Sequence, residues 1–208
     1  MSSDVSRREL IVGGAVSGGA FWLLLTLPRP LAARAAQASW RPLVLGADEW
    51  KTVEAITGRI IPVDHEPGAV EAGCVNFIDK ALAHEDAALR PVYRAGLAGV
   101  EAVSRKRFAE PFVKLGGDQQ DEVLVALESG HADGWPAGGD GIPPEQFFAA
   151  VRAHTIIGFL ADPKYGGNRD YAGWRVVGYP GGGHHLGGYS PAQMTGKEKI
   201  TAVWGKEV

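Results

Sequence analysis

The amino-acid sequence predicts an all-α protein: a small helical bundle of about five helices, followed by a long irregular tail rich in glycine and aromatic residues. Two observations predict this class. Apolar residues recur at helical spacing in successive segments, and no segment alternates apolar and polar residues over the length of a strand. The 208 residues, 45% apolar and 22% charged, have the composition of an ordinary globular domain.

The first two helices are predicted between residues 48 and 82. Asp48 can cap the first helix, and Pro62 ends it. Pro67 suits the first position of the second helix, which runs to Leu82 despite Gly73 within it. The predicted apolar faces comprise Val53, Ile56 and Ile60 in the first helix, and Val70, Cys74, Phe77, Ile78, Ala81 and Leu82 in the second.

Three further helices are predicted over residues 89–107, 118–127 and 144–161, and the irregular tail follows from Lys164. Trp135 lies in a loop rich in glycine and proline, where its ring either packs into the core or faces a partner. The apolar faces comprise Leu89, Val92, Tyr93, Leu97, Val100 and Val103, then Val123, Leu124 and Leu127, then Phe147, Phe148, Val151 and His154.

Residues 1–35 have the pattern of an export signal. The consecutive Arg7 and Arg8 precede an apolar, glycine-rich run that ends before Pro28, and small residues at Ala33 and Ala35 suit cleavage. The paired arginines indicate the twin-arginine type and a periplasmic destination. The mature domain is then residues 36–208, with 163–208 as a partner-facing tail. The alternative is a retained anchor helix, because the apolar run is at the short limit for a membrane span.

Charge and cysteine content exclude several classes of function. The formal net charge is -3 and the mature part has no basic run, so we expect no binding to nucleic acid or directly to anionic lipid. Cys74 is the only cysteine, which rules out an internal disulfide and a thiolate metal cage within the chain. We expect membrane association only through a complex.

The histidines are the candidates for a site within this chain. His184 and His185 suggest a metal site, but neighbouring residues seldom both reach one ion and no cluster of ligands lies near them. We therefore predict no metal site, and keep a stand-alone metal-binding protein or enzyme using this pair as the alternative. His154 is predicted to be a hydrogen-bonded core histidine. No catalytic residues are expected.

Several segments together resemble the small subunit (subunit 3, or gamma) of gluconate 2-dehydrogenase and of related sugar and polyol dehydrogenases. The longest reads Gly-Phe-Leu-Ala-Asp-Pro-Lys-Tyr-Gly-Gly-Asn over residues 158–168. The other segments that carry the resemblance are residues 60–62, 66–69, 76–79, 173–174 and 178–181.

The resemblance implies a non-catalytic subunit of an enzyme complex. Its partner would be a large flavoprotein of the glucose-methanol-choline type, which holds FAD and oxidises CH-OH groups of sugars. A multihaem cytochrome c with haem c is the implied third subunit. This chain would hold no cofactor, and would escort the large subunit through the twin-arginine pathway and stabilise it at the inner membrane.

The aromatic tail is the predicted partner-binding surface, because aromatic anchors on an irregular backbone are typical of protein interfaces. The alternative is that the tail wraps its own bundle and Trp174 fills the core. Cys74 is either a small buried hydrophobe or half of a disulfide to the partner. The predicted partner-binding residues are Tyr165, Asn168, Tyr171, Trp174, Tyr179 and Tyr189.

Overall fold

A computed structural model describes residues 42–136, 141–182 and 188–207. These residues form seven α-helices and no β-strand, with one isolated bridge between Thr201 and Glu207, so the all-α class is confirmed. The helices are α1 Ala47–Ile60, α2 Cys74–Ala83, α3 Arg90–Phe108, α4 Gly117–Glu128, α5 Pro144–Leu160, α6 Ala172–Val176 and α7 Pro191–Met194. Short 3-10 helices span Ala87–Leu89, Phe112–Lys114, Pro163–Tyr165 and Arg169–Tyr171.

The start of α2 differs from the prediction. The sequence pattern places this helix from Pro67, whereas the structure begins it at Cys74. Gly73 has a φ of 70°, a left-handed conformation that interrupts a right-handed helix and that glycine adopts without steric cost. The amide of Cys74 donates to the Ala69 carbonyl at 2.9 Å, so a turn replaces the predicted first turns.

The start of α1 also has a different cap from the one predicted. Gly46 is the N-cap, and Asp48 lies within the first turn. The Glu49 carboxylate accepts a hydrogen bond from the Gly46 amide at 2.7 Å. A carboxylate in the first turn of a helix interacts favourably with the positive end of the helix dipole. Asp48 and Glu49 therefore both stabilise the start of α1.

The core is organised around α5, which contacts α1, α2, α3 and α4. Tyr93 of α3 and Phe147 of α5 meet edge to face with ring centroids 5.7 Å apart. Trp135 packs against this core, and its indole N–H donates to the Ile142 carbonyl at 2.8 Å. The largest fully buried side chains are Tyr93, Phe112, Phe147, Ile56, Ile78, Leu82, Leu127, Val53, Val100, Val103, Val123 and Val151.

A bidentate ion pair joins the last turn of α1 to the first half of α4. The Arg59 guanidinium donates to the Asp121 carboxylate through Nε at 2.7 Å and through its second nitrogen at 2.6 Å. The hydrogen bond from Arg59 is the main reason that the pKa of Asp121 lies below its usual value. Both side chains are partly open to solvent, so the pair contributes modestly to stability.

The described part of the tail contains short helical turns that its sequence pattern did not predict. It contains the 3-10 helices Pro163–Tyr165 and Arg169–Tyr171, and also the α-helices α6 and α7. The Val203 amide donates to the Pro180 carbonyl at 2.9 Å, and the ring of Trp204 lies 6.0 Å from that of Tyr171. The end of the tail therefore folds back on residues 171–180.

Candidate functional site

Asn168 links the end of α5 to the start of α6. Its side chain is buried, and its Nδ2 donates to the Ala161 carbonyl at 2.8 Å. Its Oδ1 accepts from the amides of Gly173 at 2.9 Å and Trp174 at 3.4 Å. One amide side chain thus satisfies backbone groups on both sides of the turn, which fixes the path of the tail over α5.

Trp174 is anchored to α5 from the other side of this turn. It is buried, and its indole Nε1 donates to the Leu160 carbonyl at 2.6 Å. Its ring stacks on Tyr171 at 5.5 Å and meets Tyr179 edge to face at 5.0 Å. For Trp174, the arrangement matches the alternative in which the tail wraps its own bundle.

Gly173 allows α6 to approach α5 this closely. A Cβ atom at this position would lie 1.9 Å from the Phe159 carbonyl oxygen, far inside van der Waals contact. The absence of a side chain therefore lets the two backbones touch, and brings the Trp174 indole within reach of Leu160.

The remaining predicted partner-binding residues keep surface that faces outward. Tyr165 is 50% exposed and Tyr179 is 43% exposed. Tyr171 and Tyr189 are partly buried, and the Tyr189 hydroxyl donates to the Gly181 carbonyl. Desolvation by the protein is the main reason that the pKa of Tyr189 is raised. Of the six predicted residues, Asn168 and Trp174 are buried and hold the backbone of the tail on α5, whereas the four tyrosines keep accessible surface.

Exposed apolar residues lie close in sequence to Tyr165 and Tyr179. Leu160 lies four residues after Ile156 and three after Ile157 in the last turns of α5, so it is a neighbour of both on the helix surface. We call the exposed side chains on α5 and the segment after it the apolar surface; its members are Ile156, Ile157, Leu160, Tyr165, Val176, Val177 and Tyr179.

A groove of about 520 Å³ adjoins the apolar surface between the ends of α2 and α5. Phe77 and Ala81 of α2 and Ile157 of α5 contribute apolar lining. Lys80 and Lys164 are among its charged lining residues. An apolar recess with polar neighbours can receive a side chain from a protein partner.

His154 is the hydrogen-bonded core histidine that the sequence predicted. Its Nδ1 lies 2.8 Å from the Tyr93 hydroxyl, and its Nε2 lies 3.3 Å from the Asp86 carboxylate. Because a carboxylate only accepts, this geometry favours the proton on Nε2 and the Tyr93 hydroxyl as donor to Nδ1. Desolvation lowers the pKa of His154, and this is the largest effect on it. The negative charge of Asp86 raises the pKa but does not cancel the desolvation.

Cys74 is fully buried, in a small cluster with Ala69, Ala72, Phe159 and Ala172. Desolvation raises the pKa of its thiol to about 12. A thiol in this environment stays protonated and packs as a small apolar group. The predicted alternative of a disulfide to a partner would require this end of α2 to open.

Asp79 is a buried aspartate that sequence reasoning missed. Its carboxylate accepts hydrogen bonds from the backbone amides of Leu43 at 2.6 Å, Val44 at 3.0 Å and Leu45 at 2.9 Å. The only available sequence signal is an aspartate on the buried face of a helix, which needs a partner to be tolerated. It ties the beginning of the described chain to α2.

Four residues singled out in the sequence, Arg7, Arg8, His184 and His185, lie outside the described residues. Within residues 42–136, 141–182 and 188–207, no three His, Cys, Asp or Glu side chains are grouped to hold a metal ion. Over the same ranges, no helix has the length and apolar character needed to cross a membrane.

The chain is similar to a known protein family. The family described as gluconate 2-dehydrogenase subunit 3 matches residues 47–181, which is more than half of the 208 residues and includes the apolar surface. Comparison with curated proteins and with solved structures gives no significant match. The chain therefore belongs to the gluconate 2-dehydrogenase subunit 3 family, a family of subunits of a multi-subunit dehydrogenase.

Proposed function

We propose that this chain is the non-catalytic small subunit that escorts and stabilises a periplasmic, FAD-dependent sugar or polyol dehydrogenase. The catalytic subunit is a flavoprotein of the glucose-methanol-choline type. A multihaem cytochrome c takes its electrons, and this chain is associated with the inner membrane through the complex. This chain binds no cofactor of its own in that assembly.

The observation that carries the proposal is the apolar surface, on a chain that belongs to a family of dehydrogenase subunits. A helix in a bundle normally turns charged and polar residues to solvent. The last turns of α5 instead expose Ile156, Ile157 and Leu160, and Tyr165 and Tyr179 follow. Grouped exposed apolar side chains are typical of a surface that another protein covers.

The contacts within the tail support two different roles among the predicted partner-binding residues. Tyr165 and Tyr179 have the exposed area needed to act as anchors, since tyrosine buries a large ring at low entropic cost. Asn168 and Trp174 act through the backbone, because their polar groups are already bonded to α5 and α6. We propose that these two residues hold the surface in shape.

The export role rests on the leader and on the family. Arg7 and Arg8 precede an apolar run, the arrangement of a twin-arginine signal. That pathway carries proteins that are already folded, so a single signal on the small subunit serves an assembled pair. The catalytic subunit then needs no signal of its own.

The test is a tagged pull-down of this chain from its native periplasm, with an absorption spectrum and mass spectrometric identification of the bound proteins. Wild type is expected to recover a large protein with flavin absorption bands. The double variant Arg7→Lys, Arg8→Lys is expected to leave both proteins in the cytoplasm. Recovery of the chain alone, without flavin, would contradict the proposal; bound metal in that sample would favour the site at His184 and His185.

A matched pair of variants tests the surface. Ile157→Asp places a charge within the apolar surface and is expected to reduce recovery of the flavoprotein by tenfold or more, about 1.4 kcal/mol in binding. Val125→Asp is the control, since Val125 is also an exposed apolar helix residue but lies on α4. Equal recovery by both variants would place the interface elsewhere.

A further inference from the structure

The turn before α6 has an unusual backbone. Asn168, Asp170 and Tyr171 have φ values of 46°, 53° and 60°, in the left-handed region. Each residue with a Cβ atom has a steric cost there that glycine avoids. Three such residues within four positions need compensation from the surrounding structure, and residues held this way concentrate at functional sites.

Two of the three residues are compensated within the chain. Asn168 makes the buried hydrogen bonds to Ala161, Gly173 and Trp174. The ring of Tyr171 packs against those of Trp174 at 5.5 Å and Trp204 at 6.0 Å. The folded state thus gains from both side chains.

Asp170 lacks such compensation. Its side chain is exposed, and it makes no hydrogen bond and no ion pair with any residue that the structure describes. The backbone beside it is held in place, because the Arg169 amide donates to the Ala72 carbonyl at 2.9 Å. Aspartate adopts this backbone more readily than most residues, but glycine would fit it with less strain. No contact within the described chain uses the carboxylate.

We propose that the Asp170 carboxylate is a contact for an arginine or lysine of the catalytic subunit, in addition to the contact made by the apolar surface. This inference rests on the proposed function and specifies one contact within it. Asp170 lies between Tyr165 and Tyr179 in the sequence, on a backbone that the contacts of Arg169 and Asn168 hold in place. A charge presented by a preset backbone is favourable for recognition, because little conformational freedom is lost on binding.

The test measures the affinity of the purified full-length chain for the flavin-containing catalytic subunit, by calorimetry at several salt concentrations. Asp170→Gly and Asp170→Asn are each expected to weaken binding about tenfold at low salt and to reduce its salt dependence. Asp170→Gly is expected not to lower Tm, because glycine adopts the left-handed backbone freely. Weaker binding and reduced salt dependence together with an unlowered Tm is a result that a purely structural role would not produce.

Ala109→Gly is the matched control. Ala109 is also an exposed left-handed residue, with a φ of 60° at the end of α3, and its methyl group carries no charge. This variant is expected to keep wild-type affinity and to raise Tm. Unchanged affinity and salt dependence in both Asp170 variants would overturn the contact while leaving the proposed function standing. Failure of wild type to bind the flavoprotein would overturn both.

Discussion

At the scale of single residues, the buried polar side chains connect distant parts of the chain. His154 has neighbours 61 and 68 residues before it in sequence, Tyr93 and Asp86. Burial disfavours the imidazolium, and desolvation exceeds the effect of the Asp86 charge, so the pKa of the histidine is lowered. Burial also raises the pKa of Tyr93, which therefore remains a neutral donor at physiological pH.

The lowered pKa of His154 makes stability depend on pH in a definite direction. Between the folded pKa and the ordinary value near 6.5, the unfolded chain binds more protons than the folded chain. The stabilisation from neutral His154 is thus fully present above about 6.5. It is lost as the pH falls towards the lowered folded pKa.

Urea denaturation at a series of pH values checks this prediction. His154→Gln is expected to flatten the dependence of the free energy of unfolding on pH below about 6.5. His65→Gln, at a histidine that is largely exposed, is the control and is expected to leave the dependence as in wild type. A wild-type stability that is constant or rises as the pH falls through this range would show that His154 is not the responsible group.

At the scale of elements, the packing of α6 on α5 sets the shape of the partner-facing segment. The two helices are joined by Asn168, by the Trp174 indole and by the backbone contact at Gly173. The apolar surface spans both helices, so a change in their separation moves exposed residues relative to one another. Partner binding and local packing are therefore coupled in this region.

Gly173→Ala tests this coupling. The added Cβ atom would overlap the Phe159 carbonyl oxygen, so we expect a loss of about 1–3 kcal/mol in the free energy of unfolding, together with weaker partner binding. Gly116→Ala is the control, because its nearest contact is 3.9 Å away, and we expect a loss below about 1 kcal/mol at this N-cap. Denaturant unfolding measures both, and equal losses would show that the close approach is relaxed at little cost.

At the scale of the whole molecule, Asp79 connects the beginning of the described chain to the bundle. The three amides it accepts from belong to residues 43–45, which follow closely on the predicted leader. A buried carboxylate with several backbone donors is well stabilised, and removing the charge leaves those donors poorly satisfied. Residues 43–45 are thus fixed by a contact with α2.

Asp79→Asn is expected to lower the free energy of unfolding by about 1.5–3 kcal/mol, the range for hydrogen bonds to a charged group. Limited proteolysis is expected to cleave near residues 42–46 sooner than in wild type. Asp64→Asn is the control, since Asp64 also accepts from a backbone amide, that of Glu66 at 2.8 Å, but in an exposed turn. Proteolysis that is equally slow in all three proteins would contradict the role of Asp79.

Local sequence patterns determined most of the helical architecture. The 3.6-residue repeat of apolar side chains is a property of each segment by itself, so α1, α3, α4 and α5 lie within two or three residues of their predicted positions. The segment at residues 158–168, together with the shorter segments between residues 60 and 181, indicated the family, which the match over residues 47–181 confirms. The chain's own sequence likewise predicted a hydrogen-bonded core position for His154.

Only the tertiary structure decided which polar and aromatic residues face inward. The same aromatic, glycine-rich pattern covers Trp174, which α5 buries, and Tyr165, which stays half exposed. Contacts such as those of Asp79 with residues 43–45 join positions far apart in sequence, and no local pattern specifies them. The left-handed turn at 168–171 likewise depends on groups from other elements, because its steric cost must be offset by contacts beyond the turn itself.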